Sequence, residues 1–228
     1  VFLVLFLCTV ILKGFDPSIT GTEKPMDFMM LNSIVVTGSN PPEDSWFSGM
    51  SVSYYYFGYW IMACMALLSG IVTSVSYNLS IALIVGISGS VMFSFIIALA
   101  LRDGKKFYAS LFVGFLGCYL LLLSSNLSVV WVLLDLCNCV SDNVFDWYAG
   151  TDYQHISITN NMRPTDHWWW WDSTRVINTY SSDGVGLDYT IQEFPFFSVL
   201  LGDLHPHFMG MPFILTSFVL TYSLYLNV

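Results

Sequence analysis

Long apolar runs separated by polar segments dominate the chain. Four of them approach the roughly 20 apolar residues that a helix needs to cross a bilayer, and a shorter run opens the sequence: 54–74, 79–101, 106–123, 208–228 and 1–12. Two long polar segments, 14–53 and 137–203, lie between them. The pattern predicts an all-α polytopic membrane protein.

Composition strengthens this class. The chain is 55% hydrophobic and only 10% charged, whereas soluble domains carry about 25% charged residues. A net charge of −9 excludes nucleic acid as a partner, since such proteins need a basic surface. Because the sequence begins at Val1 inside one apolar run and stops inside another, we expect a fragment truncated at both ends.

The short turn RDGKK predicts the orientation in the membrane. It contains Arg102, Lys105 and Lys106, three of the seven basic residues, and short basic loops stay cytoplasmic. The run 79–101 then descends, 106–123 rises, and the acidic segment 137–203 faces outward. We therefore predict a multi-pass protein of the cell membrane, with the lipid bilayer as its first partner.

The run 54–74 leaves two topologies open. If it crosses, segment 14–53 faces the cytoplasm; if it lies in the outer interface, both polar segments share the outer face. Its entry YYYFGYW suits either position, because aromatic rings settle at headgroup level. Long apolar runs usually span, so hydropathy alone favours a crossing.

Acidic residues of the first polar segment are candidates for chemistry. In GTEKPMDFMMLN, Pro25 predicts the start of a short amphipathic surface helix, with Glu23 just before it and Asp27 in its first turn. These carboxylates suit a general base or a divalent cation site. Taken alone, the stretch favours solvated acids on a capped helix. Asp44, in the rigid loop NPPEDSWFSG, is a candidate substrate contact.

The second polar segment carries HWWWWDSTRV. Its tryptophans, Trp170 and Trp171 among them, predict a stacking surface for sugars or an interfacial anchor. Arg175 suits a phosphate, since its donors form a fork; the alternative is a structural pair with Asp172. Glu193, which opens EFPFFSVLLGDLHPHF, is assigned to the same substrate surface.

Asp203, His205 and His207 enter an apolar segment at the membrane edge, where ionisable residues are costly and mark function. Their side chains are suitable ligands for a divalent metal, Mg²⁺ or Mn²⁺. Pro206 favours an extended backbone before it, which would place alternate residues on one side. The alternative is a helix start with histidines bonded to carbonyls.

The ordered motifs GTEKPMDFMMLN, NPPEDSWFSG, YYYFG, YNLSIAL, WWWWDSTRVI and EFPFFSVLLGDLHPHFMGMPF together resemble the prokaryotic "YYY" membrane proteins, an uncharacterised polytopic family named for its tyrosine triplet. The resemblance covers nearly the whole chain. The loop before WWWW departs from the family, and most of its C-terminal spans are absent. That family is in turn similar to the GT-C glycosyltransferases, which use lipid-phosphate-linked sugars.

The GT-C resemblance implies a layout in which 54–74 does not cross. Segments 25–36 and 54–74 become juxtamembrane helices, so the two outer loops face one compartment. The implied order is a partial span, the first outer loop, a span, the cytoplasmic turn, a span, the second outer loop and a last span: 1–13, 14–78, 79–101, 102–106, 107–124, 125–206 and 207–228.

The resemblance also implies an activity. We expect transfer of a sugar from a polyprenyl-phosphate donor to an unidentified acceptor at the outer face. Asp27, or Glu23 beside it, would accept the acceptor proton, and Arg175 or a metal on Asp203, His205 and His207 would offset the leaving phosphate. Tyr54, Tyr55 and Tyr56 would border the donor groove. Two alternatives stay open, a lipid-linked glycan transporter or flippase and a non-catalytic envelope-assembly protein.

Overall fold

The structure is a computed structural model that describes residues 1–124, 139, 174, 178–183, 185–189 and 191–226. It separates into two compact units, Val1–Leu122 with Ser198–Val228, and Leu123–Phe197. The described elements are α1 (Phe2–Phe15), α2 (Lys24–Thr37), α3 (Phe57–Ser69), α4 (Thr73–Arg102), α5 (Phe107–Leu122), β1 (Asn178–Tyr180), β2 (Gly186–Tyr189), α6 (Pro195–Leu201) and α7 (Pro206–Leu226).

A short β-hairpin corrects the all-α prediction in one place. Strands β1 and β2 pair antiparallel within the second unit, with Asn178 opposite Tyr189. The N–H of Ser181 donates to the carbonyl of Val185 at 2.9 Å and helps to close the connecting turn. The other described regular elements are helices, as predicted.

Within the part of the chain that the structure describes, two helices are long and apolar enough to cross a membrane. Helix α4 has 30 residues and a mean hydropathy of 2.4, and α7 has 21 residues and a mean hydropathy of 1.4. Helix α4 begins at Thr73, six residues before the predicted span, so it includes 73–78 that we had placed in the first outer loop. Helix α5 ends two residues before its predicted limit at 124.

The apolar run 54–74 does not form one continuous helix. Helix α3 covers 13 residues, about 20 Å of length, which is short of the roughly 30 Å hydrocarbon core. It ends at Gly70, whose φ of +68° is left-handed, and α4 starts three residues later. One face of α3 is buried at Tyr59 and Met62, whereas Leu68 is exposed. This length favours the juxtamembrane arrangement, whose placement in the bilayer stays a prediction.

Helices α2, α3, α4 and the start of α7 pack around one apolar core in the first unit. Its fully buried members include Leu31 on α2, Tyr59 on α3, Tyr77 on α4 and Leu204 before α7. Phe28 packs edge to face against Tyr77, with ring centroids 5.9 Å apart. The core therefore joins helix α2 to the two candidate spans, and α2 carries the polar groups of Lys24, Asp27 and Ser33 inward with it. This burial corrects the prediction of an amphipathic surface helix with solvated acids.

Candidate functional site

The first turn of α2 places an acid in the core. Pro25 lies in that turn, where its missing N–H costs no helical hydrogen bond, and the N–H of Asp27 donates to the carbonyl of Glu23 at 3.1 Å. Asp27 has no exposed surface. Its Oδ1 accepts a short hydrogen bond from the hydroxyl of Tyr59 on α3.

A tight turn between α6 and α7 brings in a second acid. Gly202 takes a φ of +75°, and the N–H groups of Gly202 and Asp203 both donate to the carbonyl of Ser198, at 2.9 and 3.1 Å. The N–H of Leu204 donates to the hydroxyl oxygen of Tyr77 at 3.1 Å. These bonds hold Asp203, which is 3% exposed, in a fixed position.

Two buried lysines, Lys13 and Lys24, lie next to this turn. The Nζ of Lys24 donates to the carbonyl of Leu201 at 3.1 Å and to that of Ser18 at 3.3 Å. A Cβ on Gly202 would lie 2.2 Å from the Nζ of Lys13. Cations at the carboxyl end of a helix are favourable because the last carbonyls carry partial negative charge. Lys24 therefore stabilises the end of α6 next to Asp203, and the Lys13 side chain packs against Gly202.

His205 links Glu23 and Asp203 to the tyrosine triplet. Its Nδ1 lies 3.2 Å from Oε2 of Glu23 and 3.5 Å from Oδ2 of Asp203. Its Nε2 lies 3.2 Å from the hydroxyl of Tyr54. The side chain of Glu23 is 55% exposed, so this end of the cluster opens toward solvent.

Asp27, Asp203 and His205 form the centre of the site, since one ligand atom from each lies within 4.8 Å of the others. Burial, strengthened by the hydrogen bond to Asp203, raises the pKa of Asp27 to about 9, although the Tyr59 hydroxyl opposes this. Burial acts in the same direction on Asp203, but hydrogen bonds from His205 and Asp27 outweigh it and lower the Asp203 pKa. Of the pair, Asp27 carries the proton near neutral pH and Asp203 the charge.

A mostly apolar cavity of ≈ 430 Å³ adjoins the cluster. The tyrosine triplet lines one side, and Met209 and Phe213 of α7 line the other. Gly58 keeps the two sides close, since a Cβ there would lie 2.7 Å from the Sδ of Met209. Because Tyr54 both lines this cavity and contacts His205, the cavity begins at the polar cluster.

The structure gathers several predicted site residues and leaves others apart. Glu23, Asp27, Asp203, His205 and Tyr54 come together, which the predicted outer-face arrangement requires. Tyr55 and Tyr56 line the adjoining cavity. The predicted residues Trp170, Trp171 and Arg175 lie outside the described residues. Glu193 lies in the second unit and is half-buried.

Two predicted contacts take other positions. Asp44 serves its own loop, because its Oδ1 accepts hydrogen bonds from the N–H groups of Trp46 and Phe47 at 2.8 and 3.0 Å. His207 is exposed in the first turn of α7. Its ring lies 4.9 Å from that of His205, but the converging group includes Asp27 in its place.

Sequence reasoning missed four residues that build the site: Lys13, Lys24, Tyr59 and Tyr77. Lys13 did leave a signal, as the one charged residue in the apolar segment 1–15, where an ionisable side chain is costly. Lys24 stands inside GTEKP and was passed over for its acidic neighbours. The two tyrosines look like ordinary aromatic residues of apolar helices, and the sequence does not show which polar groups they reach.

The whole chain, residues 1–228, matches the model of the family described as "Uncharacterized membrane protein (DUF2298)". No curated protein and no solved structure matches it. The apolar helices α4 and α7 agree with the family description. This protein is therefore a member of the DUF2298 family of membrane proteins.

Proposed function

We propose that this protein is a GT-C-type glycosyltransferase that moves a sugar from a polyprenyl-phosphate donor to an acceptor at the outer membrane face. One observation carries the proposal: the start of α2 and the turn before α7 converge on a cluster of two acids and a histidine. Both segments belong to the loops that the charge pattern and the family resemblance assign to the outer face. A transferase needs such a composite site, since its base and its donor-binding groups must meet.

The exposure of the acids assigns their roles. The side chain of Glu23 is 55% exposed and lies beside His205, whereas Asp27 has no exposed surface and retains a proton near neutral pH. Glu23 is thus the better general base. It takes the proton from the acceptor hydroxyl while that oxygen bonds to the anomeric carbon. The bond between this carbon and the donor phosphate breaks, and its electrons leave with the lipid phosphate.

The remaining acids act on developing charge. Glycosyl transfer makes the sugar ring cationic in the transition state, and the ionised Asp203 offers the matching negative charge. Asp27, which is hydrogen bonded to Tyr59, lies beside Asp203 on the buried side of the site. Removal of a positioned base costs about 10²- to 10⁴-fold in rate.

The apolar cavity supports a lipid-linked donor. Its volume of ≈ 430 Å³ and its aromatic lining suit the first isoprene units of a polyprenyl chain, and it opens beside His205. A sugar phosphate attached to that chain would then lie at the acidic cluster. The tyrosine triplet consequently takes the substrate-binding role that the resemblance implies.

The test is sugar transfer by the full chain reconstituted in vesicles and supplied with a panel of radiolabelled polyprenyl-phosphate sugars. Glu23→Gln should lower transfer at least about 100-fold. Glu43→Gln is the matched control, because Glu43 is an exposed acid of the same polar segment and should retain full rate. Equal rates for the two variants would refute the assignment of Glu23, and no transfer from any donor would refute the proposal.

A transporter of lipid-linked glycans is the second candidate. The observation in its favour is the buried, proton-holding Asp27, a type of group that proton-coupled transporters use as a relay. Such a protein would move intact glycolipid across sealed vesicles and leave the glycan unchanged. Flux that depends on a pH gradient, with no new glycosidic bond, would favour this function over transfer.

A further inference from the structure

Apart from the hydrogen bond between Asp27 and Asp203, two carboxylate oxygens of the cluster have no hydrogen-bond partner. These are Oδ2 of Asp27 and Oδ1 of Asp203, and both are fully buried. The other oxygen of each acid is already engaged, Oδ1 of Asp27 with Tyr59 and Oδ2 of Asp203 near Nδ1 of His205. Buried acceptors are normally satisfied by a donor or a cation. In the metal-free cluster the proton of Asp27 serves this pair, and a cation that replaces the proton on binding would serve it in the same way.

The spacing fits a metal ion. One ligand atom each from Asp27, Asp203 and His205 lies within 4.8 Å of the others, whereas donors on opposite sides of a shell of about 2.1 Å radius are about 4.2 Å apart. The widest pair would therefore have to close by up to about 0.6 Å to take opposite positions in the shell. The acids come from α2 and from the turn before α7, so the rigid ends of two elements present the ligands.

We propose that Asp27, Asp203 and His205 bind a divalent cation of the Mn²⁺ type, which supplies the charge that a leaving phosphate needs. With this cation bound, Asp203 acts on the phosphate through the metal and no longer directly on the sugar ring. This inference rests on the proposed function for its chemical role but not for its binding. Two carboxylates suit Mg²⁺ and Mn²⁺ alike, and the imidazole favours the less strictly oxygen-seeking Mn²⁺. Asp27 takes the place that the sequence assigned to His207.

The surroundings of His205 match those of a metal-ligating histidine. Such a histidine commonly holds its second ring nitrogen in a hydrogen bond, which fixes the orientation of the ring. Nε2 of His205 lies 3.2 Å from the Tyr54 hydroxyl, and Nδ1 faces Asp203 and Glu23. Nδ1 is therefore the ligand atom. The exposed Glu23 marks the open side, where water or a substrate phosphate would complete the shell.

Mn²⁺ binding to the purified full chain in detergent tests the site, with no sugar donor present. The loss of the free-ion electron paramagnetic resonance signal should give one Mn²⁺ per chain. Asp27→Asn should weaken binding at least tenfold, and Glu43→Gln should leave it unchanged. The Asn amide can still accept from Tyr59 and donate to Asp203, so this variant keeps the fold, which a thermal melt verifies.

Two results would overturn the site: no binding by the wild-type chain, or equal affinity in Asp27→Asn and Glu43→Gln. Either would mean that the two acids hold a shared proton in place of a metal. The outcome is separate from that of the transferase proposal. Sugar transfer that persists in excess chelator refutes the metal alone, whereas Mn²⁺ binding without transfer from any donor refutes the transferase alone.

Discussion

The start of α2 and the turn between α6 and α7 each place an aspartate in one cluster. These two residues, Asp27 and Asp203, have opposite charge states. Asp27 follows a helix start, contacts a hydroxyl and a second acid, and holds its proton. Asp203 lies in a turn held by backbone hydrogen bonds, contacts an imidazole, and is ionised. Both carboxyls are almost completely buried, and burial raises the pKa of each, so the difference in charge between them comes from their neighbours.

The comparison also ranks two physical effects. Asp27 stands in the first turn of α2, where the helix dipole favours a carboxylate by about 0.3–1 kcal/mol. Its pKa nevertheless rises to about 9, with burial as the largest cause. Loss of hydration in the core thus outweighs the dipole.

The largest effect is expected at the turn. Gly202→Ala should lower the free energy of unfolding by about 2–3 kcal/mol, because its φ is +75° and the new Cβ would stand 2.2 Å from Nζ of Lys13. Gly38→Ala, at the end of α2, is the matched control with a φ of +65° and no atom within 4 Å; it should cost about 1 kcal/mol. Thermal melts in detergent measure both, and equal losses would show that the Lys13 contact is unimportant.

The paired acids should respond differently to neutralisation at pH 7.5. Asp203→Asn removes the carboxylate that faces His205 and should cost about 1–3 kcal/mol of stability. Asp27→Asn replaces an acid that is already neutral in the folded state and should cost nothing or stabilise. Denaturation of both variants beside the wild type decides this. A larger loss for Asp27→Asn would reverse the charge assignment.

Asp27 should also make stability depend on pH. Its folded pKa of about 9 lies above the ordinary value of 3.8, so the folded chain holds a proton that the unfolded chain releases. The contribution is complete below about pH 4 and is lost as pH rises to about 9. Asp203, with its pKa lowered, contributes above its ordinary value and loses this contribution on acidification.

Melting temperatures between pH 5 and pH 9 check the sign. The wild type should lose stability toward alkaline pH, and Asp27→Asn should show a flatter profile over the same interval. Glu43→Gln provides the control for an exposed acid and should follow the wild type. Parallel profiles for wild type and Asp27→Asn would contradict the raised pKa.

Local signals in the sequence predicted the start of α2 better than the turn between α6 and α7. Pro25 predicted the start of α2 to within one residue of Lys24, because its ring fits only the first helical turn. At the turn, the cost of charge in an apolar segment singled out Asp203 and His205, which the structure places beside Asp27. Pro206 was misjudged, since the alternation of extended backbone does not continue through it and α7 begins there. His207 therefore falls on the helix.

The hydrogen-bond partners of the acids were beyond the reach of the sequence. Tyr59 is 32 residues from Asp27, and Tyr77 is 127 residues from Leu204. Neither contact follows from a helical or extended period, because each depends on how α3 and α4 pack on other elements. The break at Gly70 was likewise hidden, since an apolar run of this length is compatible with one continuous helix.

The smallest expected effect tests whether the two regions act as one network. Tyr59→Phe removes the donor to Asp27, and Tyr77→Phe removes the acceptor for the Leu204 N–H. Each should cost about 1 kcal/mol. Residues in one hydrogen-bond network commonly show coupling of about 0.5 kcal/mol or more, so the double variant should lose measurably less than the sum. Loss of either tyrosine hydrogen bond should already weaken the contact between Asp27 and Asp203. Loss of the second bond then removes less stability than it would alone. Strict additivity in a double-mutant cycle would instead mean that α3 and α4 hold their acids independently.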